Sequence, residues 1–195
     1  MKLPDMRHFF GRDPPPRPLP SPPGRAELML AAVPEAGPPR EDGRFWSPAR
    51  LEVVEAPWGE GFQFPGGEAE TLRMVKPLGL SAASSLLLVG AGSGGAPCSV
   101  ASKMGVWVTG YESDPDLQKA AAERTLHSNV AKRVRIAAWE PEAPSFERGY
   151  YHHGLALEPL REGQLEPTFA ALTAALKPLG HLVMLETVAD KPLDP

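Results

Sequence analysis

Cysteine, net charge and long apolar runs are all scarce in this chain. Cys98 is the single cysteine, so no disulfide can form within the chain. Lys and Arg number 20 against 24 Asp and Glu, and the net charge of −4 argues against nucleic acid as the main partner. No stretch approaches the roughly 20 apolar residues that span a bilayer. Met1–Phe10 is mixed in character and lacks a secretory pattern, so a cytoplasmic location is expected. The adjacent His152 and His153 have no Cys or acid at ligand spacing, and no metal site is expected.

Proline, in contrast, is abundant, with 24 residues. It dominates 13–23 and recurs at Pro34, Pro38, Pro39 and Pro48. Proline fixes its own φ and lacks a donor, which predicts an extended arm with little helix or sheet over residues 1–57. One short apolar piece, Leu28–Val33, interrupts the arm and is a candidate docking segment. Residues 58–195 then alternate strand and helix patterns without an internal repeat. A length of 195 residues suits one packed domain plus such an appendage.

The most informative run is Leu86-Leu87-Leu88-Val89-Gly90-Ala91-Gly92-Ser93-Gly94-Gly95. Four apolar residues read as a buried strand that enters a glycine-rich turn, and a helical pattern follows. Glycine permits a tight turn and close backbone approach, while the helix start offers free N–H groups to a ligand. A second apolar strand pattern, from Val106, ends on Glu112, about 20 residues past the glycines, where such folds bind ribose hydroxyls. Asp114-Pro115 reads as an N-cap followed by proline at the first helical position. Two ligands suit this pattern, a dinucleotide or S-adenosylmethionine. Gly90-x-Gly92-x-x-Gly95 satisfies the dinucleotide spacing, so spacing does not separate them.

From about Trp58 to Asp190 the chain resembles class I S-adenosylmethionine-dependent methyltransferases, in particular their small-molecule N-methyltransferase branch. Trp58-Gly59-Glu60-Gly61-Phe62 with Pro65-Gly66-Gly67 is similar to the cofactor-covering segment before the core. Val89–Gly95 is similar to motif I, and Val108–Pro115 to the second strand with its ribose acid. Ala174–Met184 is similar to the helix, Lys-Pro-Gly-Gly-type turn and fifth strand. The resemblance implies an α/β, Rossmann-like open and mostly parallel sheet, here without the family's last strands because the chain stops soon after the fifth. It implies S-adenosylmethionine as cofactor, with Gly90, Ala91, Gly92 and Gly94 approached by the ligand and Glu112 on its ribose.

The sequence departs from the family at three places. Leu88 stands where motif I usually carries an acid, Phe64 where the branch often has Ser, and Trp139-Glu140 where an Asp commonly contacts adenine. Trp139 is a candidate to stack on adenine instead. Methyl transfer is a direct displacement and demands no universal catalytic residue. His152 and His153, taken to lie at the ligand end of the fourth strand, are the candidates for a base. Cys98, Glu186 and His127 are expected to be a buried small residue, a solvated acid and an exposed helix residue.

Three functions follow from these readings. The first is methyl transfer from S-adenosylmethionine to a small amine-like or head-group-like acceptor. The second is a methyltransferase-like subunit without turnover that binds or assembles, suggested by Leu88, Trp139, the short sheet and the proline-rich arm. The third, a nicotinamide oxidoreductase, lacks a visible substrate domain. An open sheet edge or the arm is expected to engage a protein partner or a second copy.

Overall fold

In the computed structural model, which describes residues 45–160 and 164–188, the run Leu86–Val89 is a strand fully buried on both faces. An apolar run without alternation suits the centre of a parallel sheet, where both faces are covered. β1 (Ser85–Val89) pairs with β2 (Trp107–Glu112) on one side and β4 (Tyr151–Leu157) on the other. β3 (Val134–Ala138) flanks β2, and β5 (Leu176–Leu185) flanks β4. All pairings are parallel, and the strand order is β3-β2-β1-β4-β5. This is the expected α/β architecture. The proline-rich stretch 13–23 and Leu28–Val33 lie outside the described residues.

The helices are α1 (Pro48–Glu55), α2 (Gly67–Val75), α3 (Gly95–Met104), α4 (Pro115–His127) and α5 (Leu165–Ala175). Asp114 caps α4 as its sequence suggests, accepting from Asp116 N at 2.9 Å and Leu117 N at 3.1 Å. Leu86, Leu88, Leu155 and Leu157 pack with Val75 of α2 and Val100 of α3 in one core cluster. Leu87, Val89 and Ala156 pack with Leu172 and Ala175 of α5 in the other. Among the described residues no helix is long and apolar enough to cross a membrane.

Three details differ from the sequence reading. The body begins before the expected 57/58 boundary, because Glu55 of α1 is buried and accepts a 2.7 Å hydrogen bond from Gly61 N. Composition marks the prolines but not a buried acid that ties α1 to the core. The turn at Lys177–Gly180 is drawn into β5 as a bulge, between the pairs Tyr151↔Leu176 and His153↔His181. Leu179 sits on that bulge at φ 66 and is 94% exposed. Finally, the crossover from β3 to β4, residues 139–150, contains no helix. Only Trp139 and Phe146 of this segment join the core, so the sheet face over β2 and β3 is thinly covered.

Leu87→Ala should cost about 2–5 kcal/mol, because a fully buried strand residue leaves a cavity that neighbours fill only in part. Leu126→Ala, at a side chain 73% exposed, should stay within about 0.5 kcal/mol. Urea unfolding of both variants checks the contrast.

Candidate functional site

At the carboxyl ends of the strands lies a cavity of about 340 Å³. Gly90 and Gly92 after β1, Glu112 at the end of β2, Trp139 after β3 and Glu158 after β4 all line it. The loop's amides are engaged within the protein. Gly90 N and Ala91 N donate to Tyr111 O at 2.9 and 3.0 Å, and Gly92 N donates to Glu112 Oε2 at 2.6 Å. Gly94 N donates to Ala91 O, and Gly95 N to Gly61 O, each at 3.0 Å. These five amides are therefore committed to partners within the protein.

The predicted loop residues divide into two groups. Gly92 has φ +55, a backbone conformation that side chains rarely adopt, and a Cβ there would displace the end of Gln63, whose Oε1 would lie 2.2 Å away. Gly94, the N-cap of α3, lets its backbone approach α4, where a Cβ would come within 2.9 Å of Ala121 Cα. Ala91 is buried and faces Gly110. Gly90 and Gly92 therefore border the cavity, while Ala91 and Gly94 shape the loop from behind.

Glu112 is 6% exposed, yet its carboxylate is well supplied with donors. Oε2 accepts from Gly92 N, and Oε1 accepts from Ser113 N at 2.9 Å and Asp114 N at 3.1 Å. Burial raises its pKa above the ordinary 4.5, opposed by these backbone donors and assisted by the Asp114 charge.

A second carboxylate reaches the same loop from α1. Glu55 Oε1 accepts from Ser93 Oγ, while Glu55 Oε2 accepts from Gly61 N and, at 3.3 Å, from Arg124 Nη2. Arg124 also donates to Ser93 O at 2.8 Å and Glu60 Oε1 at 2.6 Å. Gln63 Nε2 donates to Ser93 Oγ at 2.6 Å. Segment 55–63 is thereby fastened over the glycine loop. Sequence reasoning found the segment by resemblance but missed Glu55, Gln63, Ser93 and Arg124. Leu88, at the usual acid position, is fully buried among apolar side chains.

The remaining walls are largely aromatic. Trp139 is 8% exposed and backed by Phe146, with ring centroids 5.9 Å apart. Phe45, Trp46 and Phe64 close another side, and the Arg50 guanidinium lies 3.7 Å from the Phe45 ring centroid. Glu158 adopts φ 48, uncommon for a residue with a side chain, and accepts from Thr187 Oγ1 at 2.7 Å.

His152 and His153 require a correction. They open β4 rather than close it, so they lie at the end of the sheet away from the cavity. His152 Nδ1 is 2.9 Å from Ser85 Oγ and Nε2 is 3.1 Å from Lys177 Nζ. His153 stacks on His181 at 5.7 Å, and burial together with the neighbouring histidines lowers its pKa. Glu186 is bonded rather than merely solvated, since Oε1 accepts from Leu160 N at 2.7 Å. Cys98 is half-buried beside Thr125, and His127 is exposed. Among the described residues no cluster of three His, Cys, Asp or Glu could hold a metal.

No family model matches the chain. It is 27% identical over 136 residues to phosphoethanolamine N-methyltransferase 2 of Caenorhabditis elegans, an alignment that covers 69% of this chain and 31% of that protein. The solved phosphoethanolamine N-methyltransferase 2 of Haemonchus contortus with S-adenosyl-L-methionine superposes at TM-score 0.65 and 23% identity, covering 76% of this chain and 36% of that one. A methyltransferase of Thiobacillus denitrificans with S-adenosyl-L-homocysteine superposes at 0.59 and 20% identity, covering 71% and 55%. The chain thus spans about a third of the length of its phosphoethanolamine relatives.

Because burial raises the Glu112 pKa, the folded state holds its proton more tightly than the unfolded chain. The stability of the protein relative to a Glu112→Gln variant should be greatest below pH 4.5, fall as pH rises through the raised pKa, then level off. Denaturant titrations of both proteins between pH 4 and 7 check the sign.

Proposed function

We propose that this body, whose fold is that of S-adenosylmethionine-dependent methyltransferases, binds S-adenosylmethionine in the cavity and transfers its methyl group to a small-molecule acceptor. The observation that carries the reading is Glu112 at the tip of β2, facing the cavity while bound to the loop glycine Gly92. Each carboxylate oxygen has two lone pairs. Oε2 accepts one bond from Gly92 N, which leaves it an acceptor position for a ribose hydroxyl. A volume of about 340 Å³ lies within the range of small-molecule sites.

In this reading Gly90 and Gly92 allow close backbone approach, Ala91 and Gly94 hold the loop's shape, and Trp139 is the apolar wall for adenine. When bound, the cofactor supplies an electrophilic methyl group on sulfur, open to direct displacement. The residues of the chain then have two tasks, to align the acceptor and to exclude water. Segment 55–63 holds the loop rigid, while Phe45, Trp46 and Phe64 form an apolar mouth. The relatives named for phosphoethanolamine suggest an amine acceptor. Neither His152 nor His153 is placed to take its proton.

Isothermal titration with S-adenosylmethionine and S-adenosylhomocysteine should give micromolar binding, with no heat from NAD. Glu112→Ala should weaken both by at least tenfold, roughly 1.4 kcal/mol or more. A folded sample that binds neither compound would overturn the reading.

A further inference from the structure

A second cavity, of about 410 Å³, lies at the amino ends of the strands, away from the first. It exists because residues 139–150 cross from β3 to β4 without a helix and cover the outer face of β2 and β3 only in part, through Trp139 and Phe146. Alternate residues of β2, Trp107, Thr109 and Tyr111, point to that face, and Arg135 pairs in register with Thr109. Tyr150 and Tyr151 close the far wall, where Tyr151 Oη lies 3.2 Å from Tyr111 Oη. Trp107 is 51% exposed and Tyr150 49%.

The charge of this groove runs against that of the chain. Lys132, Arg133 and Arg135 line it with one acid, Glu147, although the protein as a whole carries −4. The Arg133 guanidinium sits 5.2 Å from the Trp107 ring centroid and donates from Nη1 to Gly105 O at 2.5 Å, which fixes it at the rim. Lys132 and Arg135 are exposed, and among the described residues neither has an ion-pair partner. Concave positive surface concentrates anions, and half-exposed indole and phenol rings offer flat apolar area at little ordering cost.

We propose that this groove is a second ligand site, which takes a small organic anion bearing a flat aromatic ring. The anion sits against Arg135 and Lys132, and the ring packs between Trp107 and Tyr150. Thr109 and Tyr111 form a polar floor that hydrogen-bonds the ligand's remaining polar atoms, backed by the buried Tyr151. The site is independent of the cavity at the carboxyl ends, since none of the cavity's lining residues is shared.

The test uses 1-naphthyl phosphate as the probe, read by calorimetry, with 1-naphthol and inorganic phosphate as the uncharged and ringless controls. The probe should bind at least tenfold tighter than either control. Arg135→Ala and Trp107→Ala, both at exposed side chains, should each weaken it tenfold or more while the fold, checked by circular dichroism, is retained. Glu112→Gln should leave the affinity unchanged, which separates this groove from the other cavity. Probe binding that ignores Arg135→Ala, or that falls with Glu112→Gln, would overturn the proposal. So would binding to anionic vesicles or acidic peptide without binding to the probe.

Discussion

The glycine loop depends on the tip of β2. Tyr111 O holds the amides of Gly90 and Ala91, and Glu112 holds that of Gly92. Left unpaired, the buried Ala91 donor alone would cost about 1–3 kcal/mol. The three bonds form only in the register that sets Val89 opposite Tyr111. That register is held in turn by packing on both faces, with Leu86 and Leu88 in one core cluster and Leu87 and Val89 in the other. The geometry of the cavity is thus inherited from the core.

Two carboxylates approach this loop from different elements, Glu112 from β2 and Glu55 from α1. A buried carboxylate is tolerated only where donors surround it. Glu55 meets that demand with Ser93, Gly61 and Arg124, and the same bonds fasten segment 55–63 to the sheet. Position 88 is a buried leucine, and the loop has its charged partners on both sides from Glu112 and Glu55. Across the face of β2 and β3 the crossover to β4 has no helix, and the surface toward the amino ends of the strands is basic and aromatic. One fold presents an acid-lined cavity and a cationic groove at opposite ends of its strands.

Much of this was legible in the chain. The unbroken run Leu86–Val89 announced a central strand, and the glycines, Glu112 and the Asp114-Pro115 cap all occupy the expected elements. The site was only partly legible. Gln63 and Arg124 belong to segments that read as ordinary polar sequence, and they meet Ser93 only after the sheet brings distant parts together. The run Tyr150–Leu157 reads as a strand, and its carboxyl end, at Leu157, is the end that faces a ligand in a parallel sheet. His152 and His153 are the second and third residues of that strand and so stand at its far end, where only the exact strand bounds locate them.

The sequence by itself determined the class of fold, the position of the loop and the acid that meets it, because periodicity, glycine and capping act over a few residues. Tertiary structure decided whether the loop amides were free, where the histidines stood, which acid buried itself on Ser93, and that a basic groove opened over β2 and β3. Those outcomes rest on contacts between residues far apart in the chain, which form only when strand register and crossover paths have been set.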